Sequence, residues 1–286
     1  MAILIVCLLL AGCALHKNDP GRDLVLPNNG HEELADQRFS PPDWPQALYA
    51  DVYIPNGNQA AWPAVLVVHG GGWEGRSRDD MTRISRRLAD RGFVAVNIDY
   101  RFAPAYRFPA QLHDVQIALD WMRENAERLR IDPDLIAGLG YSSGAHLVAL
   151  AGLVAGTDAA LNTEYGPDED GFFAVVDGGI PSDFSLFSGG RLIEQLIGAS
   201  QDEAPKAYLD ASPVTHVHAN APPFFLFHGT LDKLVPLEHA EVFYEALRDQ
   251  GVHAELYQMR LRGHVSAFVF SGAALRHATR FLHDMT

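Results

Sequence analysis

Residues 136–144 constrain the fold more than any other stretch of this chain. A short apolar run, Ile136-Ala137-Gly138-Leu139, leads into Gly140-Tyr141-Ser142-Ser143-Gly144, and a helix-prone apolar stretch follows to residue 155. A serine between two glycines at such a junction forces a strand to end and a helix to begin within a few residues. Small neighbours let the bend close, and the serine hydroxyl is left pointing outward from a strained backbone.

That βα unit sits in a longer alternation. Apolar, β-rich runs are predicted at 50–54, 64–69, 94–100, 136–140, 174–178, 224–228 and 254–258, the central ones continuously apolar, as in parallel strands covered on both faces. Helices are predicted between them at 80–91, 109–129, 145–155, 237–250 and 272–283. Leu112, Val115, Leu119 and Met122 fall at helical spacing, and Pro109 suits a first turn. The expectation is an α/β fold with a doubly wound, mostly parallel sheet. One region breaks the rhythm: 184–213 is irregular apart from Leu192, Ile193, Leu196 and Ile197 on one helical face. It reads either as a small helical cap over the site or as a longer surface connection.

No Pro/Gly/Ser-rich linker divides the middle of the 286 residues, so one catalytic domain is expected over 37–286. With 36 acidic against 22 basic residues, the net charge of −14 repels phosphate backbones and anionic head groups, and nucleic acid is not expected as a partner. Both cysteines, Cys7 and Cys13, lie in the first thirteen residues, so the domain has no disulfide, thiol nucleophile or cysteine metal site. Residues 2–11 are an unbroken apolar run, short of the roughly 20 residues that span a bilayer but suited to the core of a signal peptide.

The run ends in Leu10-Ala11-Gly12-Cys13, which resembles a bacterial lipobox, although no Lys or Arg precedes it. The resemblance implies a lipoprotein signal peptide at 1–12, lipidation of Cys13 and a location on the cell envelope, with Ala14 favouring the outer membrane facing the periplasm. Residues 13–36 then read as a lipidated cysteine and flexible tether, which would reach roughly 25 Å.

Ser142 needs a base, a group to orient that base, and donors for a developing oxyanion. Of 13 histidines, His264 stands out in Arg262-Gly263-His264, beyond the last predicted strand. Asp232 follows an apolar run in His228-Gly229-Thr230-Leu231-Asp232, at the sheet edge where open α/β folds keep their sites. Asp210 and Asp249 follow no buried strand. The order Ser142, Asp232, His264 matches one of the known chain orders of a nucleophile–base–acid relay. For the oxyanion, the amide of Ser143 and one from His69-Gly70-Gly71-Gly72-Trp73 are expected, Gly71 first and Gly70 or Gly72 close behind. His113 and His239 fall in helices. His216-Val217-His218 has metal spacing without a nearby carboxylate or third histidine, so no metal site is assigned there.

With Asp99-Tyr100-Arg101-Phe102-Ala103-Pro104 and Phe108-Pro109-Ala110, the chain resembles α/β-hydrolase carboxylesterases of the hormone-sensitive-lipase-like group over most of 45–286. Gly144-Ala145-His146-Leu147, the His228–Asp232 segment and Val235-Pro236 are closer to bacterial feruloyl- and acetyl-esterase-like enzymes, related to kynurenine formamidases. The resemblance implies the α/β-hydrolase fold, Ser142 as nucleophile, Asp232 and His264 as its relay, and no cofactor. Tyr141 and Ser143 depart from the residues that often flank the serine, and Ala105 stands where a glutamate is common. Asp99 and Arg101 read as a structural pair bracing the loops, and Trp73 and Tyr141 as pocket-lining. A small-molecule or saccharide ester is the expected substrate, with a short acyl group because no long apolar lid is evident. An amide substrate and a non-catalytic binding role remain as alternatives.

Overall fold

The computed structural model describes residues 14–21, 25–167, 171–187 and 189–286. The leader and Cys13, read above as signal peptide and lipidation site, lie outside the described residues. Nine strands, β1 (Ala14–Lys17), β2 (His31–Arg38), β3 (Tyr49–Pro55), β4 (Trp62–Val68), β5 (Val94–Ile98), β6 (Ile131–Tyr141), β7 (Val175–Gly178), β8 (Phe224–Gly229) and β9 (Ala254–Met259), make one sheet. Their order is β1-β9-β8-β7-β6-β4-β5-β3-β2. From β5 through β4, β6, β7 and β8 to β9 every pairing is parallel; β1, β2 and β3 pair antiparallel at the two margins.

Helices cover both faces. They are α1 (Thr82–Asp90), α2 (Ala110–Glu124), α3 (Ala126–Leu129), α4 (Ser143–Val154), α5 (Arg191–Ile197), α6 (Pro205–Asp210), α7 (Glu238–Asp249), α8 (His264–Val269) and α9 (Gly272–Met285). β4 shows why its sequence is continuously apolar. Ala64, Leu66 and Val68 enter one core with Leu112, Leu147 and Phe243, while Val65 and Val67 enter the other with Ile84, Leu88 and Phe281. All twelve residues of α4 are buried, so the helix that follows the serine is fixed by packing on every side.

Two expectations need correction. The segment read as a tether up to residue 36 is tied down at both ends: β1 pairs with β9, and β2 pairs with β3 from His31 onward. The polar composition that suggested a tether belongs to edge strands, which carry charge on their open side. The helix predicted over 109–129 is interrupted at Asn125, which separates α2 from α3 and donates its side-chain amide back to the Trp121 carbonyl at 2.9 Å.

Candidate active site

The serine turn is held by contacts that leave no room for side chains. Ser142 adopts φ 56° and ψ −121°, a strained conformation for a residue with a Cβ, and its amide donates to the Gly178 carbonyl of β7 at 2.7 Å. A Cβ on Gly144 would lie 2.2 Å from the Val68 carbonyl oxygen, and one on Gly140 would lie 2.3 Å from the Gly144 carbonyl. Both glycines are therefore required by close backbone approach: the start of α4 is pressed onto the end of β4.

The structure brings Ser142, Asp232 and His264 together at the carboxyl edge of the sheet. Ser142 follows β6, Asp232 lies three residues beyond β8, and His264 is the first residue of α8, five beyond β9. The Nδ1 of His264 is 2.6 Å from Asp232 Oδ2, and its Nε2 is 2.9 Å from Ser142 Oγ. The carboxylate can only accept, so Nδ1 carries the proton and Nε2 is left to accept from the serine hydroxyl. The other Asp232 oxygen accepts the amides of Leu234 and Val235, each at 2.9 Å. Burial pushes the Asp232 carboxyl up, but the bond and charge of His264 and the backbone donors outweigh it and hold the group below its ordinary value.

The glycine loop lies directly against the nucleophile. A Cβ on Gly70 would be 2.9 Å from the Tyr141 carbonyl and 3.2 Å from Ser142 Cβ. Gly71 has φ +126°, and a Cβ there would meet the Gly75 carbonyl at 2.1 Å. Among the described residues, the amides of Gly71 and Ser143 bond to no backbone carbonyl; Ser143 opens α4, ahead of the intrahelical ladder, where the helix end favours negative charge. These donors flank the serine from two sides.

Several residues that the sequence did not single out fasten this arrangement. Tyr100, two residues beyond β5, is buried; its hydroxyl donates to the His69 carbonyl and accepts from Ser143 Oγ, both at 3.2 Å, joining the glycine loop to the serine turn. His146, fully buried in α4, donates from Nε2 to the Ala211 carbonyl at 2.7 Å, so its Nδ1 accepts the Trp73 indole N–H at 3.2 Å. Burial pulls the His146 pKa down to about 4, which keeps the ring neutral in that role. His228 lies 3.5 Å from Asp232 and donates to the Val235 carbonyl at 2.8 Å, and burial likewise lowers its pKa. The only sequence signal for these residues was proximity to the motifs.

Trp73 and Tyr141, read above as pocket-lining, are both tied into the packing around the site. Trp73 is buried against His146 and Phe184, and its carbonyl accepts from Ala103. Tyr141 is also buried, and its hydroxyl donates to the His264 carbonyl at 2.6 Å, so it braces the loop that carries the base. Asp99 and Arg101 do not pair with each other. Asp99 is bound by Arg78, which also reaches Asp36 and Asp51, while Arg101 bonds the buried Asp114 at 2.8 Å. Burial raises the Asp114 pKa to about 6 despite that partner. Both residues lie beyond the end of β5, where strand alternation no longer sets side-chain direction, and each is taken by a partner from another element.

The 184–213 stretch contains a short 3₁₀ turn (Phe184–Leu186), α5 and α6, ends where a second such turn (Pro213–His216) begins, and packs against the glycine loop. Leu192 of α5 abuts Gly72, Arg191 pairs with Glu74 at 2.6 Å, and Phe184 stacks on His146. The bonding shows His216 and His218 engaged separately, with the Asp210 and Leu153 carbonyls. Among the described residues, His16, Asp19 and His277 are grouped with ligand atoms within 4.8 Å of one another, on the β1 margin and α9, apart from the serine site.

This geometry has known counterparts. A truncated form of a carbohydrate esterase from gut microbiota superposes with TM-score 0.78 at 24% identity, over 91% of this chain and 99% of that one. Thermogutta terrifontis esterase 2, phosphoramylated by tabun, superposes with TM-score 0.71 at 25% identity, over 90% and 96%. Esterase LipC of Mycobacterium tuberculosis is 36% identical over 198 residues, 65% of this chain and 48% of LipC. The chain spans about half the length of the curated relatives it matches. The sheet, its order of parallel strands and these superpositions are those of an α/β-hydrolase. A model of the BD-FAE family matches residues 50–247, taking in the glycine loop, the serine turn and Asp232, and on that match the chain belongs to the BD-FAE family.

Proposed function

We propose that this chain is a serine carboxylesterase that hydrolyses short-acyl esters through an acyl-enzyme. The observation that carries the reading is the continuous relay from Ser142 Oγ through the His264 ring to Asp232, at 2.9 and 2.6 Å. The Ser142 oxygen attacks the acyl carbon as His264 Nε2 takes its proton. Asp232 stabilises the imidazolium without being protonated itself. The tetrahedral oxyanion is held by the amides of Gly71 and Ser143, with Gly70 beside them. His264 then protonates the departing alcohol, and water repeats the cycle on the acyl-enzyme. Each oxyanion donor contributes about 10²–10³ in rate. No cofactor takes part in these steps.

The curated relatives named as esterases support the reaction class. Packing supports a small acyl group: Leu192 abuts the glycine loop, and Trp73, His146 and Phe184 fill the space behind it. A saccharide ester is the substrate class favoured by the likeness to a structure named as a carbohydrate esterase. The Leu10-Ala11-Gly12-Cys13 sequence supports a lipid anchor on Cys13 and a place on the cell envelope, facing the periplasm.

The test is hydrolysis of p-nitrophenyl esters from acetate to palmitate, with Ser142→Ala in parallel. Short-chain turnover that vanishes in the alanine variant is expected. Activity rising steadily toward palmitate would overturn the acyl assignment, and faster turnover of a matched anilide would make the enzyme an amidase. Failure of an active-site fluorophosphonate to label Ser142 would return the fold to a binding role.

A further inference from the structure

Six of the ten large apolar side chains exposed among the described residues lie between 231 and 270, beside the loops that carry Asp232 and His264. The most open are Leu261 at 78% and Val265 at 71%, with Val269 and Phe270 more than half exposed. They form one surface. The Leu231 amide donates to the Arg262 carbonyl, the Leu261 amide donates to Thr230 Oγ1, and the Arg262 guanidinium sits 4.6 Å over the Phe270 ring. Val265 and Val269, four residues apart, share a face of α8, whose first residue is His264.

Arginines border this surface in a chain whose net charge is −14. Arg83 approaches the carbonyls of Phe268 and Val269 at 3.4 Å. Next to it, Arg87 of α1, Arg91 just after that helix and Arg276 of α9 line a cleft of about 210 Å³ together with Gly272 and Thr279. Among the described residues, the bonds of Arg83, Arg91 and Arg276 run to carbonyls or a hydroxyl, and Arg87 is depressed first by its burial and then by its arginine neighbours. Asp79, Asp80 and Asp90 line the neighbouring cleft on α1 beside Arg83, Arg87 and Arg91, whereas the cleft toward α9 is lined by arginines without a carboxylate, which suits it to an external anion.

We propose that this face docks the enzyme on an anionic lipid surface, with Leu261 and the outer face of α8 entering the head-group boundary and the arginines on lipid phosphates. Apolar residues beside arginines are the combination that binds such an interface. The path of the chain agrees: Ala14, the first described residue, pairs with Met259, two residues before Leu261, so the described chain begins at the same edge. Together with the esterase reading, docking places His264 and Ser142 next to the lipid surface, where esters carried by the membrane are presented.

The experiment is flotation with phosphatidylcholine vesicles, with and without phosphatidylglycerol, of protein beginning at Ala14, which retains every described strand and helix. Turnover of a soluble acetyl ester in the same preparations reports folding. Binding is expected only to the anionic vesicles and is expected to weaken with salt. Each arginine lost in Arg83→Glu and Arg87→Glu should weaken partitioning at least about fivefold. Leu261→Glu with Phe270→Glu should abolish it, with soluble-ester turnover unchanged. Absence of binding, or binding unaffected by both pairs of substitutions, overturns the proposal. So does a concentration-dependent dimer that Leu261→Glu dissociates without any vesicle binding, which would assign the face to self-association. Binding does not depend on chemistry at Ser142, so failure of the esterase reading would leave this result intact.

Discussion

The two halves of the candidate site are held in place by different physics. On the nucleophile side, Gly70, Gly140 and Gly144 bring backbones so close that a single added carbon would overlap a carbonyl or the serine itself. On the acid–base side, Asp232 stands on the loop beyond β8 and His264 at the start of α8 beyond β9, fixed by hydrogen bonds from Leu234, Val235 and Tyr141. The first half is sterically determined and buried. The second is determined by polar contacts and adjoins the exposed apolar surface of α8. Groups whose backbone must aim amides are set by packing, while a base that must exchange protons keeps access to solvent.

That contrast predicts two kinds of failure. Gly144→Ala should break the nucleophile side outright, because its Cβ would sit 2.2 Å from the Val68 carbonyl in the buried core. The expected result is loss of activity together with stability lowered by several kcal/mol, seen as a depressed or absent cooperative thermal transition; wild-type melting would show that the turn tolerates expansion. Asp232→Asn should fail by chemistry alone. Turnover is expected to fall about 10⁴-fold through the wrong imidazole tautomer, with the circular dichroism spectrum preserved, and a comparable loss of folding would erase the distinction between the halves.

Smaller changes sharpen the comparison. Gly71→Ala puts a side chain at φ +126° and against the Gly75 carbonyl, displacing one amide donor. A loss of about 10²–10³ in kcat with little change in KM is expected; a pure KM effect would remove Gly71 from the oxyanion site.

Beneath the serine turn, Asp177 of β7 pairs in register with Gly140 and is fully buried, and burial alone raises its carboxyl well above the ordinary value. The folded state therefore holds a proton that the unfolded chain releases above about pH 4. That contribution to stability is complete below the unfolded value and is lost as pH rises through the raised one. Asp177→Asn should flatten the decline of Tm with rising pH and add a few degrees at pH 8. Parallel curves for the two proteins would show that Asp177 does not titrate between folded and unfolded states.

The parts legible in the sequence were those encoded by neighbouring residues. Gly140 to Gly144 specify a turn whatever surrounds it, and the apolar run of β4 announces a strand covered on both faces. The Ser142, Asp232, His264 order was readable because each residue follows its own strand. Tyr100, His146 and His228 were not legible: each acts through a partner more than thirty residues away or on a loop whose path only packing defines, except His228, whose four-residue distance from Asp232 depends on how the loop folds back. The expected Asp99–Arg101 pair failed for the same reason, since Arg78 and Asp114 arrive from other elements. The polar composition of β2 hid an edge strand, because its open side is wetted like a loop.

The sequence by itself determined the βα alternation, the strained serine turn and the residue types of the relay, because backbone sterics and apolar periodicity act over a few residues. Only the tertiary structure decided which amides face the serine, that Tyr141 braces the base, and that apolar and arginine side chains from distant segments meet beside it. Those outcomes depend on strand register and loop path, which are set by packing across the whole sheet.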